Sequence, residues 1–154
     1  MEKDSEYLRE KMLENKAILM PLLKYLSWLS KNRESGGSTQ YDGNGLSDNS
    51  LSFPVYDSTL MSFVKEASKS PIMDRNYPYV YTRKGLRTHD DERRFIVGAT
   101  YREWDSLRGI LSKYVLGGRT KATLWSEAVT EEIFYLVLSK MKEIIEFWDM
   151  PMDL

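Results

Sequence analysis

No cysteine occurs among the 154 residues, and there is a single histidine. The first absence removes disulfides, thiolate metal sites, iron–sulfur clusters and cysteine nucleophiles together. The second leaves any zinc site dependent on two or three carboxylates, and any Ser-His-Asp triad dependent on His89. No Gly-x-Ser-x-Gly elbow presents a serine. The stretch Gly117-Gly118-Arg119-Thr120-Lys121 misses the Gly-x-x-x-x-Gly-Lys-Ser/Thr spacing of a phosphate loop. Long apolar runs are missing as well: Ile133–Leu138 spans six residues, where a membrane helix needs about 20. The opening Met1-Glu2-Lys3-Asp4-Ser5-Glu6 is charged and has no apolar signal core. These absences predict a soluble cytoplasmic protein with no membrane partner, no metal and no cofactor. A net charge of −1 argues against a general DNA coat, which needs a basic surplus to release counterions.

What is present reads as one domain, 1–154, mainly α, with five or six helices and room for one small β-hairpin. Asp4 or Ser5 can cap a first helix, in which Leu8, Met12, Leu13, Ala17 and Met20 recur at helical spacing. Pro21 either kinks that helix or restarts it, and Leu22, Leu23, Leu26 and Leu29 form the next apolar stripe. Residues 32–52 carry four glycines among many Ser, Asn and Asp, the composition of a flexible loop. Asp42, Asn44 and Asp48 match part of a calcium loop, but the twelfth position is Phe53 and not an acid. Phe53–Tyr56 reads as extended, and Asp57 or Ser58 caps a helix that carries Leu60, Met61, Phe63, Val64 and Ala67 at helical spacing.

Residues 77–82 are open to two readings. Tyr-Pro-Tyr-Val-Tyr-Thr alternates like a strand, so 79–83 and 93–97 could pair as a hairpin across the charged loop Lys84–Glu92. Alternatively Asn76 caps a short helix with Pro78 in its first turn and Gly85 at its end. Further on, Thr100-Tyr101-Arg102-Glu103 is a capping box, followed by Trp104, Leu107, Leu111, Tyr114 and Val115 at helical spacing. A short helix over Thr123–Val129 and a long one from Thr130 to Pro151 complete the chain. Ile133, Phe134, Leu136, Val137, Leu138, Met141, Ile144, Ile145 and Trp148 cover so much of the last helix that it reads as central. The same apolar surplus, with Met150-Pro151-Met152, fits a homodimer as well as a monomer.

Between Tyr77 and Arg119 aromatics alternate with cations. Nine Lys/Arg face five Asp/Glu there, a net of +4 that leaves −5 for the remainder. The candidate binding residues are Tyr77, Tyr79, Tyr81, Arg83, Arg87, Arg93, Arg94, Arg102, Arg119 and Lys121. Tyrosine rings stack on flat bases, and guanidinium groups fork onto phosphates or carboxylates. The same residue types dominate protein–protein hot spots. The structural alternative packs the rings in the core and pairs the arginines with Asp90, Asp91, Glu92, Glu103 and Asp105. His89 reads as part of a solvated turn and Glu127 as a surface or capping acid, so no catalytic residue is assigned.

The order of several features resembles a family of small, uncharacterised bacterial and mobile-element proteins over about residues 16–146. Those features are Phe53-Pro54-Val55-Tyr56 before the helix with Phe63, Gly85-Leu86, the helix Leu107–Val115, and Arg119. Last comes Ala128–Ile133 leading into Leu138, Met141, Lys142, Glu143 and Ile144. The chain departs from the family pattern at Glu131-Glu132, where members tend to carry a glycine before the final helix. The resemblance implies a compact, mainly helical domain and supplies no catalytic residues. The expected function is therefore a non-enzymatic binding protein of phage or mobile-element type. It would sequester an anionic, nucleotide-like ligand on the Arg/Tyr face, or dock that face on an acidic surface as an inhibitor or adaptor of a host defence protein.

Overall fold

The last helix, α8 (Ile133–Asp149), is the spine on which the other elements pack. A computed structural model describes residues 2–41, 53–121 and 123–149. Along α8 the side chains of Ile133, Phe134, Val137, Leu138, Met141, Ile144 and Ile145 are buried. They meet α1 (Glu2–Leu23), α2 (Leu26–Lys31), α5 (His89–Gly98), α6 (Trp104–Gly117) and α7 (Leu124–Thr130). A helix touched from this many directions must be apolar over most of its circumference, as the sequence of α8 is.

Among the described residues there are eight α-helices, with α3 (Ser58–Ser68) and α4 (Tyr77–Lys84) completing the set. The architecture is mainly α, as expected, and α4 and α5 supply helices where a hairpin was also open. That hairpin between 79–83 and 93–97 does not form. Pro78 sits in the first turn of α4, and Gly85 closes it with φ +66°, a conformation that glycine adopts without a Cβ penalty. Thr88 then starts α5 through a capping box with Asp91. Local capping at both ends thus overrides the alternating tyrosines. The one β pairing among the described residues is elsewhere: β1 (Ser38–Tyr41) runs antiparallel to β2 (Phe53–Tyr56), with Ser38 opposite Tyr56. Residues 42–52, the rest of the expected loop and the partial calcium pattern, lie outside the described residues.

Helix α1 corrects another expectation. Its core stripe is Met12, Leu19 and Leu22, while Leu13 and Met20 are 46% and 53% exposed and Ala17 faces solvent. Met12/Leu19 and Leu13/Met20 are two parallel seven-residue stripes about 100° apart, and only the first meets the core. Pro21 falls in the last turn, so the helix runs through it and ends at Leu23.

Helix α1 is already under way at Glu2, so neither Asp4 nor Ser5 caps it, whereas the starts expected at Asp57 and Thr100 hold. Asp57 caps α3 by accepting from the Thr59 amide at 2.7 Å. Thr100 and Glu103 form their box at a single 3-10 turn, Tyr101–Glu103, that leads into α6. Glu131 and Glu132, expected in the first turn of the last helix, lie in the turn before it. Glu132 has φ +66°, alone among the described non-glycine residues. Inside the core, Phe63 meets Phe134 edge-on at 4.9 Å and Tyr114 meets Phe134 at 6.2 Å. The Tyr114 ring is thereby fixed in the core.

Candidate functional site

Two places collect chemistry: a polar cluster where α4, α5, α6 and α7 meet, and the outer surface of α4 and α5. The Thr88 box sets the first. Thr88 Oγ1 accepts from the Asp91 amide at 3.1 Å, and Asp91 Oδ2 accepts from the amides of Arg87 and Thr88 at 3.0 and 3.1 Å. These bonds hold the Asp91 carboxyl below the usual carboxylate range. They also fix the phase of α5, so that His89 and Glu92, three residues apart, face inward together.

Glu92 is 2% exposed, the one buried carboxylate among the described residues. Burial on that scale is sustained only by many partners. Tyr114 Oη donates to it, 2.7 Å from Oε1 and 2.9 Å from Oε2. Tyr81 Oη donates to Oε2. His89 Nδ1 lies 2.9 Å from Oε1, and Lys113 Nζ 3.8 Å from Oε2. The Lys113 ammonium also stands over the Tyr81 ring at 4.4 Å and the Tyr114 ring at 4.9 Å. Burial, with the charge and hydrogen bonds of Glu92, pushes both phenols far above their ordinary value, so both remain donors.

The cluster continues outward through His89. Its Nε2 lies 2.7 Å from Glu127 Oε1, and Glu127 Oε2 is 3.9 Å from Lys121 Nζ. Carboxylate oxygens only accept, so the pairing is complete when both ring nitrogens carry hydrogen. His89 is therefore no solvated turn: it is 30% exposed and bridges α5 to α7. Glu127, 31% exposed, is likewise tied to a side chain of the cluster rather than serving as a cap of α7. The donors and acceptors of this cluster are matched to one another, which suits fixing four helices in register. Among the described residues no group of three His, Asp or Glu is placed to hold a metal ion.

The ten candidate binding residues divide among different surroundings. Tyr81 belongs to the cluster, and Lys121 reaches its outer edge at Glu127. Arg93 pairs with Asp90 at 2.5 Å and with Glu131, donating also to the Glu131 carbonyl at 3.1 Å. Arg102 Nε donates to the Tyr101 hydroxyl at 3.4 Å. Tyr77 is half-buried at the start of α4, and Tyr79 is 56% exposed. Arg83, Arg87 and Arg94 are exposed on α4, the following corner and α5. Arg119 stands apart, just beyond α6.

Sequence reasoning missed Glu92, Lys113 and the Tyr114 hydroxyl as a unit. Thr88-x-x-Asp91 ahead of Phe95 and Ile96 was the signal that α5 begins there and turns Glu92 inward. Nothing in the sequence pairs His89 with Glu127, 38 positions away.

Comparison of the chain with family models, with curated proteins and with solved structures finds no match. The functional reading rests on the chain's own residues.

Proposed function

We propose that the protein acts by occupancy, as a non-enzymatic binding protein whose α4–α5 corner docks on an acidic surface of a partner protein. The observation that supports this is the fate of charge between Tyr77 and Arg119. All five carboxylates of the segment are engaged within the fold. Asp90 pairs with Arg93, Asp91 caps α5, and Glu92 is buried in the cluster. Glu103 accepts from the Thr100 amide at 2.6 Å and hydroxyl at 2.7 Å, and Asp105 pairs with Arg108 at 3.2 Å. Arg83, Arg87 and Arg94 are exposed, and no ion pair within the described residues involves them.

Three exposed guanidinium groups that make no ion pair among the described residues, Arg94 adding only its field at Asp91, present positive charge to solvent from α4, α5 and their corner. Forked hydrogen bonds to carboxylates are what such groups make best. Spread over a corner, they suit a broad acidic surface better than a small ligand, which is held in a concavity. Because the whole chain carries −1, the attraction belongs to this face and not to bulk charge.

Titration with poly-L-glutamate tests the reading. The wild-type chain should bind it with an affinity that falls as salt is raised. A combined Arg83→Ala, Arg87→Ala and Arg94→Ala variant should bind at least about tenfold more weakly. Equal binding by the two proteins would refute it.

A further inference from the structure

A second cationic place lies away from the α4–α5 corner. Helix α3, the end of α6 and α7 border a groove of about 340 Å³. Met61, Val64 and Val115 give it an apolar lining, Trp125 adds an indole, and Lys65 and Arg119 add positive charge. Lys65 and Arg119 are both exposed, and neither makes an ion pair within the described residues. Two exposed cations with no ion pair among the described residues stand beside an apolar lining, an arrangement that suits an anionic group carried on an apolar body.

The indole is held in place before any ligand arrives. Trp125 Nε1 donates to the Val115 carbonyl at 3.1 Å, occupying an acceptor at the end of α6 that the helix itself leaves open. A Cβ on Gly118 would lie 2.0 Å from that nitrogen, so the glycine is what lets the ring seat against α6. Tyr56 packs edge-on against the same ring, with centroids 5.3 Å apart. A fixed aromatic ring costs little further ordering when a second ring lies against it. The Gly117-Gly118-Arg119 stretch thus serves ring seating and charge placement, without the backbone of a phosphate loop.

We propose that this groove binds a small ligand consisting of one planar ring system that bears a phosphate or carboxylate group. The ring packs on Trp125 and the apolar lining, and the anionic group pairs with Lys65 and Arg119. The volume lies near the lower end of the roughly 300–1,000 Å³ range of ligand pockets, which matches a mononucleotide or a bicyclic aromatic acid and is small for a dinucleotide. The groove shares no residue with the Arg83, Arg87 and Arg94 face, so the two sites stand or fall separately.

Calorimetric titration of the full chain decides it, with adenosine monophosphate in one arm and 2-naphthoate in the other. Saturable binding in either arm, weakened at least about tenfold by Lys65→Ala and by Arg119→Ala, is the expected result, and the arm that binds identifies the source of the anion. The combined Arg83→Ala, Arg87→Ala and Arg94→Ala variant should bind as the wild type does. Adenosine and inorganic phosphate, each offered alone, should bind more weakly than the joined molecule. The proposal is overturned if neither arm saturates up to about 5 mM, if the two groove variants bind like wild type, or if phosphate alone binds as tightly as the nucleotide.

Discussion

Glu92 and Arg94 stand two residues apart on α5, and their surroundings are opposite. Glu92 turns inward to two tyrosine hydroxyls, a histidine and a lysine, and is 2% exposed. Arg94 turns outward and makes no ion pair among the described residues. Net charge treats the two as offsetting members of one segment. In the fold, the acids of that segment serve caps, pairs within a helix and, at Glu92, the junction between helices, while Arg83, Arg87 and Arg94 make no ion pair among the described residues. The difference teaches that a charged stretch should be read by how many partners each group already has, rather than by its sum.

Removing the inward member should have the largest effect. Glu92→Ala strands two phenolic donors and the Lys113 ammonium beside an empty space. Breaking such a buried set should lower stability by about 3–5 kcal/mol, read as a shifted urea midpoint. Tyr114→Phe removes one of its donors and should cost about 1.5–3 kcal/mol. A midpoint unchanged by Glu92→Ala would remove the inward half of the contrast.

Gly118→Ala comes next, because the new Cβ collides with the Trp125 indole and its bond to the Val115 carbonyl. The cost should be about 1–3 kcal/mol, with a change in tryptophan fluorescence that locates it at the groove.

Acid should reveal the carboxylates that serve the fold. The Tyr25 hydroxyl holds Glu66 below its ordinary value of 4.5, the Thr100 hydroxyl and amide hold Glu103 low, and the amides of Arg87 and Thr88 hold Asp91 low. A carboxyl whose folded pKa lies below its unfolded one contributes stability that is complete above the unfolded value. That contribution is lost as pH falls through the folded value. The melting temperature should therefore decline as pH drops below about 4.5, and a Glu66→Gln, Glu103→Gln double variant should decline less steeply. Equal slopes would show that these acids do not carry the acid limb.

How far the sequence could reveal all this follows from the range of each interaction. The Thr100 box, the Asp57 cap and the buried face of α8 depend on residues within a few positions of each other, and their local pattern was legible. The choice between Met12/Leu19 and Leu13/Met20 on α1 was not, because the helix presents two equivalent stripes and only packing against other elements selects one. The inward turn of Glu92 was half legible through Thr88 and Asp91. The junction of His89 with Glu127, and the joining of Lys65, Arg119 and Trp125 in one groove, depend on tertiary placement that no local pattern encodes.

The smallest effect on stability is expected on the outward face, and it bears most directly on the central claim. The combined Arg83→Ala, Arg87→Ala and Arg94→Ala variant should be measured side by side with wild type for urea stability and for poly-L-glutamate affinity. If these cations are left over from folding and used for binding, stability should change by no more than about 0.5 kcal/mol per site while affinity falls at least about tenfold. Retained affinity, or a loss of stability of the size expected for Glu92→Ala, would contradict the account.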